Sequence, residues 1–286
     1  MIVTRFAPSP TGFLHLGHAF AAFRAREAAR DGRFALRIED IDAGRCRSEF
    51  EDAILEDLAW LGLRWEEPVL RQSARSFAYR EALQRLMARA LIYPCFCTRK
   101  DIADEIARAG AAPHGDEGQL YPGLCRDLPE KTRQERMAAG VPYALRLDAA
   151  KAASLIGPLA FEERGAGPRG ESGIVSVDPI SLGDVVLARK QMAAAYHLAV
   201  VVDDAFQGVT LVTRGNDLFA ATHVHRLLQA LLDLPAPAYA HHKLILDEHG
   251  RKFSKRDRAV TLRGLREKGA AQADIRAMLH SAPNAS

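Results

Sequence analysis

Residues 2–18, IVTRFAPSPTGFLHLGH, pass from an apolar, β-prone run through a proline- and glycine-rich turn into an alanine-rich segment. IVTRFA predicts a short buried strand, and the stretch from Gly17 to Ala29 predicts a helix that ends near Asp31-Gly32. That order of strand, turn and helix puts His15 and His18 on one side of the helix's first turn. Free backbone N–H groups and the positive helix end favour a phosphate there, while Gly17, lacking a side chain, lets a flat base or sugar lie against the backbone. Taken singly, either histidine reads more simply as a surface residue in a tight turn. Two of them flanking a glycine after PSPTG shift the balance towards an anion site.

Working outward, FALRIED predicts a second strand. Ser48 with Glu51 has the form of a capping box, and Phe50, Ile54, Leu58 and Leu61 recur at helical spacing up to Gly62. A further helix is expected from Ser76 to Leu91, with Tyr79, Leu83, Leu86 and Ala90 inward and Pro94 as its stop. Alternating strands and helices predict the α/β class, a doubly wound parallel sheet. From Cys95 to about Gly173 the rhythm changes to Gly/Pro-rich pieces, APHGDEGQLYPG and ERGAGPRGESG, between short apolar segments, as an insertion would. LAVVVDD and VTLVTRG then read as buried strands, Thr222 to Leu232 as a helix, HHKLILDEHGRKFSKR as a hairpin leading to a basic loop, and SAPNAS as a frayed tail. The expected division is 1–94 and 186–240 for the two halves of one catalytic domain, 95–185 for an inserted subdomain, and 241–286 for the basic loop with a short helical end.

With 286 residues, 48% of them hydrophobic and 26% charged, the chain can bury a sizeable core. No apolar run approaches the roughly 20 residues that span a bilayer, and MIVTRFAPSP has neither the basic head nor the apolar stretch of a signal peptide; a cytoplasmic protein without membrane contact is expected. A net charge of +3 does not by itself announce nucleic-acid binding, although 39 basic side chains can still gather on one face. Cys46 stands alone, whereas Cys95, Cys97 and Cys125 share one segment, unlike the paired framework of a secreted domain. Two thiolates one residue apart and a third from a distant turn leave one place open in the tetrahedral shell of a structural zinc, for which Tyr121 and His114 compete; imidazole is the commoner ligand. A second phosphate-ready element is KFSKR, residues 252–256, whose lysines can offset charge growing on a departing pyrophosphate; alone it would read as a solvated charge run.

Together, HLGH and KFSKR resemble the two signatures of the class I aminoacyl-tRNA synthetases, usually written HIGH and KMSKS. The likeness is to the glutamyl branch, since RFAPSPTGFLHLGH, LRIEDID, LAVVVDD and VTRGNDL stand in that family's order and approximate spacing over most of residues 1–256. Leu16, Phe253 and Arg256 depart from the signatures, and the lysines are retained. The resemblance implies a Rossmann-type core with an inserted zinc-binding subdomain, and a reaction using ATP, magnesium and L-glutamate. It assigns catalysis to His15, His18, Lys252 and Lys255, and ATP contacts to Pro8, Gly12, His15, Gly17, His18 and Lys255. It assigns glutamate to Arg5, Phe6, Ala7, Pro8, Ser9, Glu39, Tyr196 and Arg214. Glutamate's two carboxylates and one ammonium do call for arginine forks and an acid.

The Cys-x-Cys and Tyr-x-x-x-Cys arrangement resembles a short branch of the family in which zinc is held, here, by Cys95, Cys97, Tyr121 and Cys125. That branch lacks the anticodon-reading helical domain, and this chain stops thirty residues past Arg256. The implied function is ATP-dependent, tRNA-independent activation of glutamate and its transfer to the queuosine base in the anticodon loop of tRNA(Asp). RNA is expected to approach by the insert and Arg251 to Arg258, on a monomer. The alternatives are a truncated synthetase charging tRNA(Glu) and a non-catalytic tRNA-binding paralogue.

Overall fold

The computed structural model describes residues 1–108, 114–115, 118–189, 192–246 and 261–282, so Lys252, Lys255 and the rest of 247–260 lie outside the described residues. The chain opens with β1 (Val3–Phe6), α1 (Leu16–Ala29), β2 (Arg33–Ile38), α2 (Ser48–Trp60) and β3 (Glu66–Arg71), and β1, β2 and β3 pair in parallel. It continues through α3 (Ser76–Ala88), β4 (Ile92–Cys95), α4 (Arg99–Arg108), β5 (His114–Gly115), β6 (Gly118–Gln119), α5 (Glu130–Ala138), β7 (Ala144–Leu147) and α6 (Ala149–Ile156). There follow β8 (Ala160–Glu163), β9 (Gly173–Ser176), β10 (Val186–Arg189), α7 (Tyr196–Phe206), β11 (Leu211–Gly215), α8 (Phe219–Leu231), β12 (Ala238–His242), α9 (Leu262–Glu267) and α10 (Gln272–Ser281).

β11, β12 and β8 are parallel to one another, and β9 closes that edge antiparallel. The Thr210 N–H donates to the Val3 carbonyl at 2.9 Å, and Arg5 reaches the Thr213 carbonyl, so β11 runs beside β1 in the same direction. The resulting order is β3-β2-β1-β11-β12-β8-β9. Side chains alternate along β1. Thr4 donates to the Ala25 carbonyl of α1, while Arg5 turns to Asp204 of α7, so helices cover both faces as a doubly wound sheet requires. A smaller antiparallel sheet, ordered β10-β7-β4, takes strands from either side of residues 95–185, and β8 within those residues pairs with β12.

Several local expectations need correction. LAVVVDD lies in helix α7, not in a strand, because a helix buried on most sides carries the same continuous apolar run as an internal strand. Ser48 is the first residue of α2 and makes no capping bond; Arg47 is the cap. α3 stops at Ala88, where Ala90 turns to φ 51° and the Leu91 N–H returns to the Leu86 carbonyl. Ala90 is therefore exposed, and Pro94 sits in β4. His241 and His242 end a strand parallel to β11, and residues 241–246, the described part of HHKLILDEHGRKFSKR, form no hairpin.

α9 follows the basic segment and fixes where the chain re-enters the fold. Thr261 bridges His15, and the Leu262 N–H donates to the Leu14 carbonyl at 2.8 Å. Leu262 and Ile245, on either side of the basic segment, join Leu14 and Leu16 in one apolar cluster. Arg266 of α9 reaches Glu56 at 2.8 Å and buried Asp57 at 3.5 Å on α2. Neither carboxylate oxygen of Asp57 accepts a hydrogen bond among the described residues, and burial pushes this acid up to about 6 although Arg266 draws it down. The folded chain thus keeps a proton that the unfolded one releases from about pH 4, so this group's contribution to stability falls as pH rises from about 4 to about 6. The expected outcome for Asp57→Asn, followed by thermal melting, is a Tm close to the parent's near pH 4 and above it near pH 7.

Candidate functional site

Five neighbouring parallel strands carry a row of charged and polar side chains at their carboxyl ends: Arg37 on β2, Arg5 on β1, Arg214 on β11, His241 on β12 and Glu163 on β8. This is the edge at which open α/β sheets bind ligands. Arg5 and Arg37 share one buried carboxylate. Asp204 Oδ1 accepts from Arg5 Nε at 3.1 Å and from Arg37 Nη1 at 2.7 Å. Burial alone would raise Asp204, but Arg5 and Arg37 outweigh it and hold the acid below its usual range. Arg37 also reaches Gln207 Oε1 at 3.1 Å and Glu39 Oε1 at 3.3 Å. Burial drives the Glu39 carboxyl above its ordinary value despite Arg37 and Arg5. A carboxylate in that state gains from a further cation.

Arg214 is 6% exposed, and its partners among the described residues are all neutral acceptors. Its Nε donates to His241 Nε2 at 3.1 Å, Nη1 to the Tyr196 hydroxyl and His225 Nδ1, both at 3.2 Å, and Nη2 to Thr222 Oγ1 at 2.7 Å. Because a guanidinium only donates, His225 carries its proton on Nε2 and passes it towards His197 Nδ1 at 3.2 Å. Burial, reinforced by Arg214, lowers His197 to about 4 and His225 well below its ordinary value, so both stay neutral and able to accept. Tyr196 stands within electrostatic reach of Arg214, Glu39 and Arg5, so these four predicted residues share one neighbourhood. An arriving carboxylate would give Arg214 the counter-charge its neighbours lack.

The turn between β1 and α1 borders the same edge. The Glu39 N–H donates to the Pro8 carbonyl at 3.0 Å, and the Arg47 N–H to the Pro10 carbonyl at 3.0 Å. Phe6 points into the core, Pro8 and Gly12 are buried, and Ala7 and Ser9 are half-buried. His15 caps α1, and its N–H donates to His18 Nδ1 at 3.2 Å with the two rings 3.8 Å apart. A Cβ on Gly17 would come to 3.1 Å from the His15 ring, so the glycine lets the imidazole fold over the helix start.

Away from this edge, the Sγ atoms of Cys95, Cys97 and Cys125 lie within 4.8 Å of one another. The Tyr121 hydroxyl is 3.3 Å from Cys95 Sγ and 3.6 Å from Cys97 Sγ, and Cys97 and Cys125 are 3.4 Å apart. Zinc bonds of about 2.3 Å to sulfur and 2.0 Å to oxygen at tetrahedral angles separate donor atoms by about 3.5–3.8 Å, so three thiols and this phenol fit one ion. Burial and the neighbouring thiols push Cys97 up to about 12, a cost that a dication on the cluster would relieve. The side chain of His114 lies outside the described residues.

Sequence reading missed Arg37, Asp204, His225 and His241 as parts of the site. RIED and LAVVVDD were in view, yet reading LAVVVDD as a strand would send its neighbouring aspartates to opposite faces of a sheet. As a helix, α7 turns Asp204 to Arg5 and Arg37, and Asp203 to Gln72, Arg75 and Tyr79.

The family described as tRNA synthetases class I (E and Q), catalytic domain, matches residues 1–280. The chain is 52% identical over 282 residues to the Glutamyl-Q tRNA(Asp) synthetase of Rhodobacter capsulatus, covering 97% of this chain and 99% of that protein. To the glutamate–tRNA ligase of Aquifex aeolicus it is 38% identical, covering 94% of this chain and 54% of the ligase. A crystal structure of a glutamate tRNA ligase from Elizabethkingia meningosepticum in complex with its amino acid superposes with a TM-score of 0.71 at 29% identity, over 90% of this chain and 52% of that one. The chain therefore spans about half the length of these two ligases and nearly all of the Rhodobacter protein. Mycobacterium tuberculosis methionyl-tRNA synthetase, at 13% identity and a TM-score of 0.58, shares the fold alone.

Purified chain is expected to carry about one zinc ion, and Cys97→Ser to lose most of it by metal analysis. Unchanged zinc in that variant would remove Cys97 from the ligands.

Proposed function

Since the chain belongs to the class I tRNA synthetases (E and Q), we propose that it activates glutamate with ATP, without needing tRNA, and transfers the glutamyl group to the queuosine base in the anticodon loop of tRNA(Asp). The observation that carries this reading is Arg214, a buried guanidinium with only neutral partners among the described residues. A substrate carboxylate would complete it, and Glu39, held above its ordinary range by burial, would take the substrate ammonium. The resemblance of most of the Rhodobacter protein's length to this chain supports the queuosine acceptor over tRNA(Glu).

In the first step, an oxygen of the α-carboxylate bonds to the α-phosphorus of ATP as the bond to the β-phosphate oxygen breaks, and pyrophosphate leaves in line. We assign His15 and His18 to holding phosphates at the start of α1, where backbone N–H groups and the helix dipole favour anions. Lys252 and Lys255 are assigned to the charge that grows on pyrophosphate. Magnesium, arriving with ATP, would neutralise phosphate oxygens. In the second step a hydroxyl of the queuosine cyclopentene ring attacks the adenylate carbonyl, loses its proton, and AMP departs. Cys95, Cys97, Cys125 and Tyr121 would hold a structural zinc that braces the insert beside β4, and the basic segment from Arg251 to Arg258 would meet RNA.

Glutamate-dependent pyrophosphate exchange should proceed without tRNA, followed by transfer to queuosine-containing tRNA(Asp) and neither to the unmodified tRNA nor to tRNA(Glu). Charging of tRNA(Glu) would favour a truncated glutamyl-tRNA synthetase, and no exchange by folded protein a non-catalytic paralogue. In the same assay Arg214→Gln should raise the glutamate KM by about a hundredfold or more while leaving the ATP KM near the parent value.

A further inference from the structure

We infer that Glu163, on β8, is a positioning residue that sets the orientation and free charge of Arg214 by fixing the proton of His241. The inference rests on reading Arg214 as the receptor of a substrate carboxylate. The side chains of Glu163 and His241 are both fully buried, and His241 Nδ1 lies 2.6 Å from Glu163 Oε2. On the other side of the same ring, Nε2 accepts from Arg214 Nε at 3.1 Å. Arginine has no acceptor atom, so the imidazole proton must sit on Nδ1 and be donated to Glu163. Burial alone would raise Glu163, yet its bonds with His241 and Gly165 hold it below the usual carboxylate range, while burial lowers His241. The chain of contacts is therefore guanidinium, neutral imidazole, carboxylate.

The backbone is built to keep Glu163 there. Its Oε1 accepts the N–H groups of His241 at 2.9 Å and Gly165 at 2.8 Å. Gly165 packs so closely on β12 that a Cβ would fall 2.1 Å from the His241 carbonyl oxygen. Arg164 and Ala166 on either side donate their N–H groups to Tyr239 and His241 of that strand. The segment EERGA, part of the glycine-rich stretch that sequence reading left as an insertion, is thus clamped onto the strand beside Arg214.

The arrangement matters because of where the acid stands. Asp204 touches Arg5 directly and takes up its charge, and a carboxylate placed that way on Arg214 would compete with an incoming one. With a neutral imidazole between them, Glu163 orients Arg214 and balances its burial from a distance, while the guanidinium stays open to a ligand. Glu163→Gln should upset this specifically. The amide oxygen must serve the two backbone N–H groups, which turns its NH₂ towards His241 Nδ1 and drives the imidazole proton to Nε2, against the Arg214 N–H.

Two measurements test the inference. Nitrogen-15 NMR of the imidazoles in the ligand-free chain should show the His241 proton on Nδ1 in the parent and on Nε2 in Glu163→Gln. Pyrophosphate exchange should show the glutamate KM of the variant raised about tenfold or more, with the ATP KM and Tm close to the parent's. A parent proton on Nε2, or an unchanged glutamate KM in folded variant, would overturn the inference. So would equal losses for glutamate and ATP with a lowered Tm, which would mark a scaffold role only. Should the variant fail to fold, the parent tautomer still decides. A parent with no glutamate-dependent exchange would instead overturn the proposed function, and the His241 tautomer would remain a separate readout.

Discussion

One buried carboxylate holding two guanidinium groups sets the terms for everything at the carboxyl edge of the sheet. Asp204 fixes Arg5 and Arg37 from the helix that covers the opposite face to α1, and so joins α7 to β1 and β2. An ionised group taken out of water costs several kcal/mol, recovered only by close, well-directed partners, and removing one partner of such a set costs about 3–5 kcal/mol. Two arginines are in this way held in place by one carboxylate. Arg214 on the next strand is buried as deeply, yet no carboxylate touches it among the described residues, and its hydrogen bonds run to a phenol, a hydroxyl and two imidazoles. The arginines differ in whether a carboxylate already takes up the charge.

Parallel pairing makes that contrast possible. In a sheet whose strands run one way, the carboxyl ends line up, and register decides which side chains are neighbours: Arg214 stands opposite His241, and Tyr239 two residues earlier stands opposite Glu163. Crossover helices then bury what the strand ends leave open, which is how α7 brings Asp204 and Asp203 into the interior with opposite duties. Asp203 takes Gln72, Arg75 and Tyr79, tying the chain before and within α3 to α7. Two adjacent residues in a helix differ by about 100° in direction, and here that angle separates the site from the scaffold.

Strand β1, its turn and helix α1 were legible in IVTRFAPSPTGFLHLGH, because proline, glycine and a change of hydrophobic period mark each boundary locally. The parallel α/β class followed from the same alternation further along. LAVVVDD was misread because burial on most sides erases the amphipathic stripe that tells a helix from an internal strand. Arg5, Glu39, Tyr196 and Arg214 were singled out through resemblance, and the structure brings them into one neighbourhood. His225, His241 and Glu163 carried no local sign, since a histidine kept neutral by burial is indistinguishable in sequence from one on the surface. Their roles depend on strand order, which is a long-range property of the fold.

The same dependence on distant partners links the two signature segments. A phosphate held at the start of α1 gains little from lysines elsewhere in the chain unless the intervening residues are brought back to that point, because exposed charges more than about 10 Å apart are largely screened. Thr261 is the first described residue after the basic segment, and its bridge to His15, with the Leu262 bond to Leu14, returns the chain to the first turn of α1. On the other flank, Ile245 is buried in the cluster that also contains Leu14, Leu16 and Leu262. Both flanks are therefore fastened by apolar burial and backbone pairing to the residues around His15.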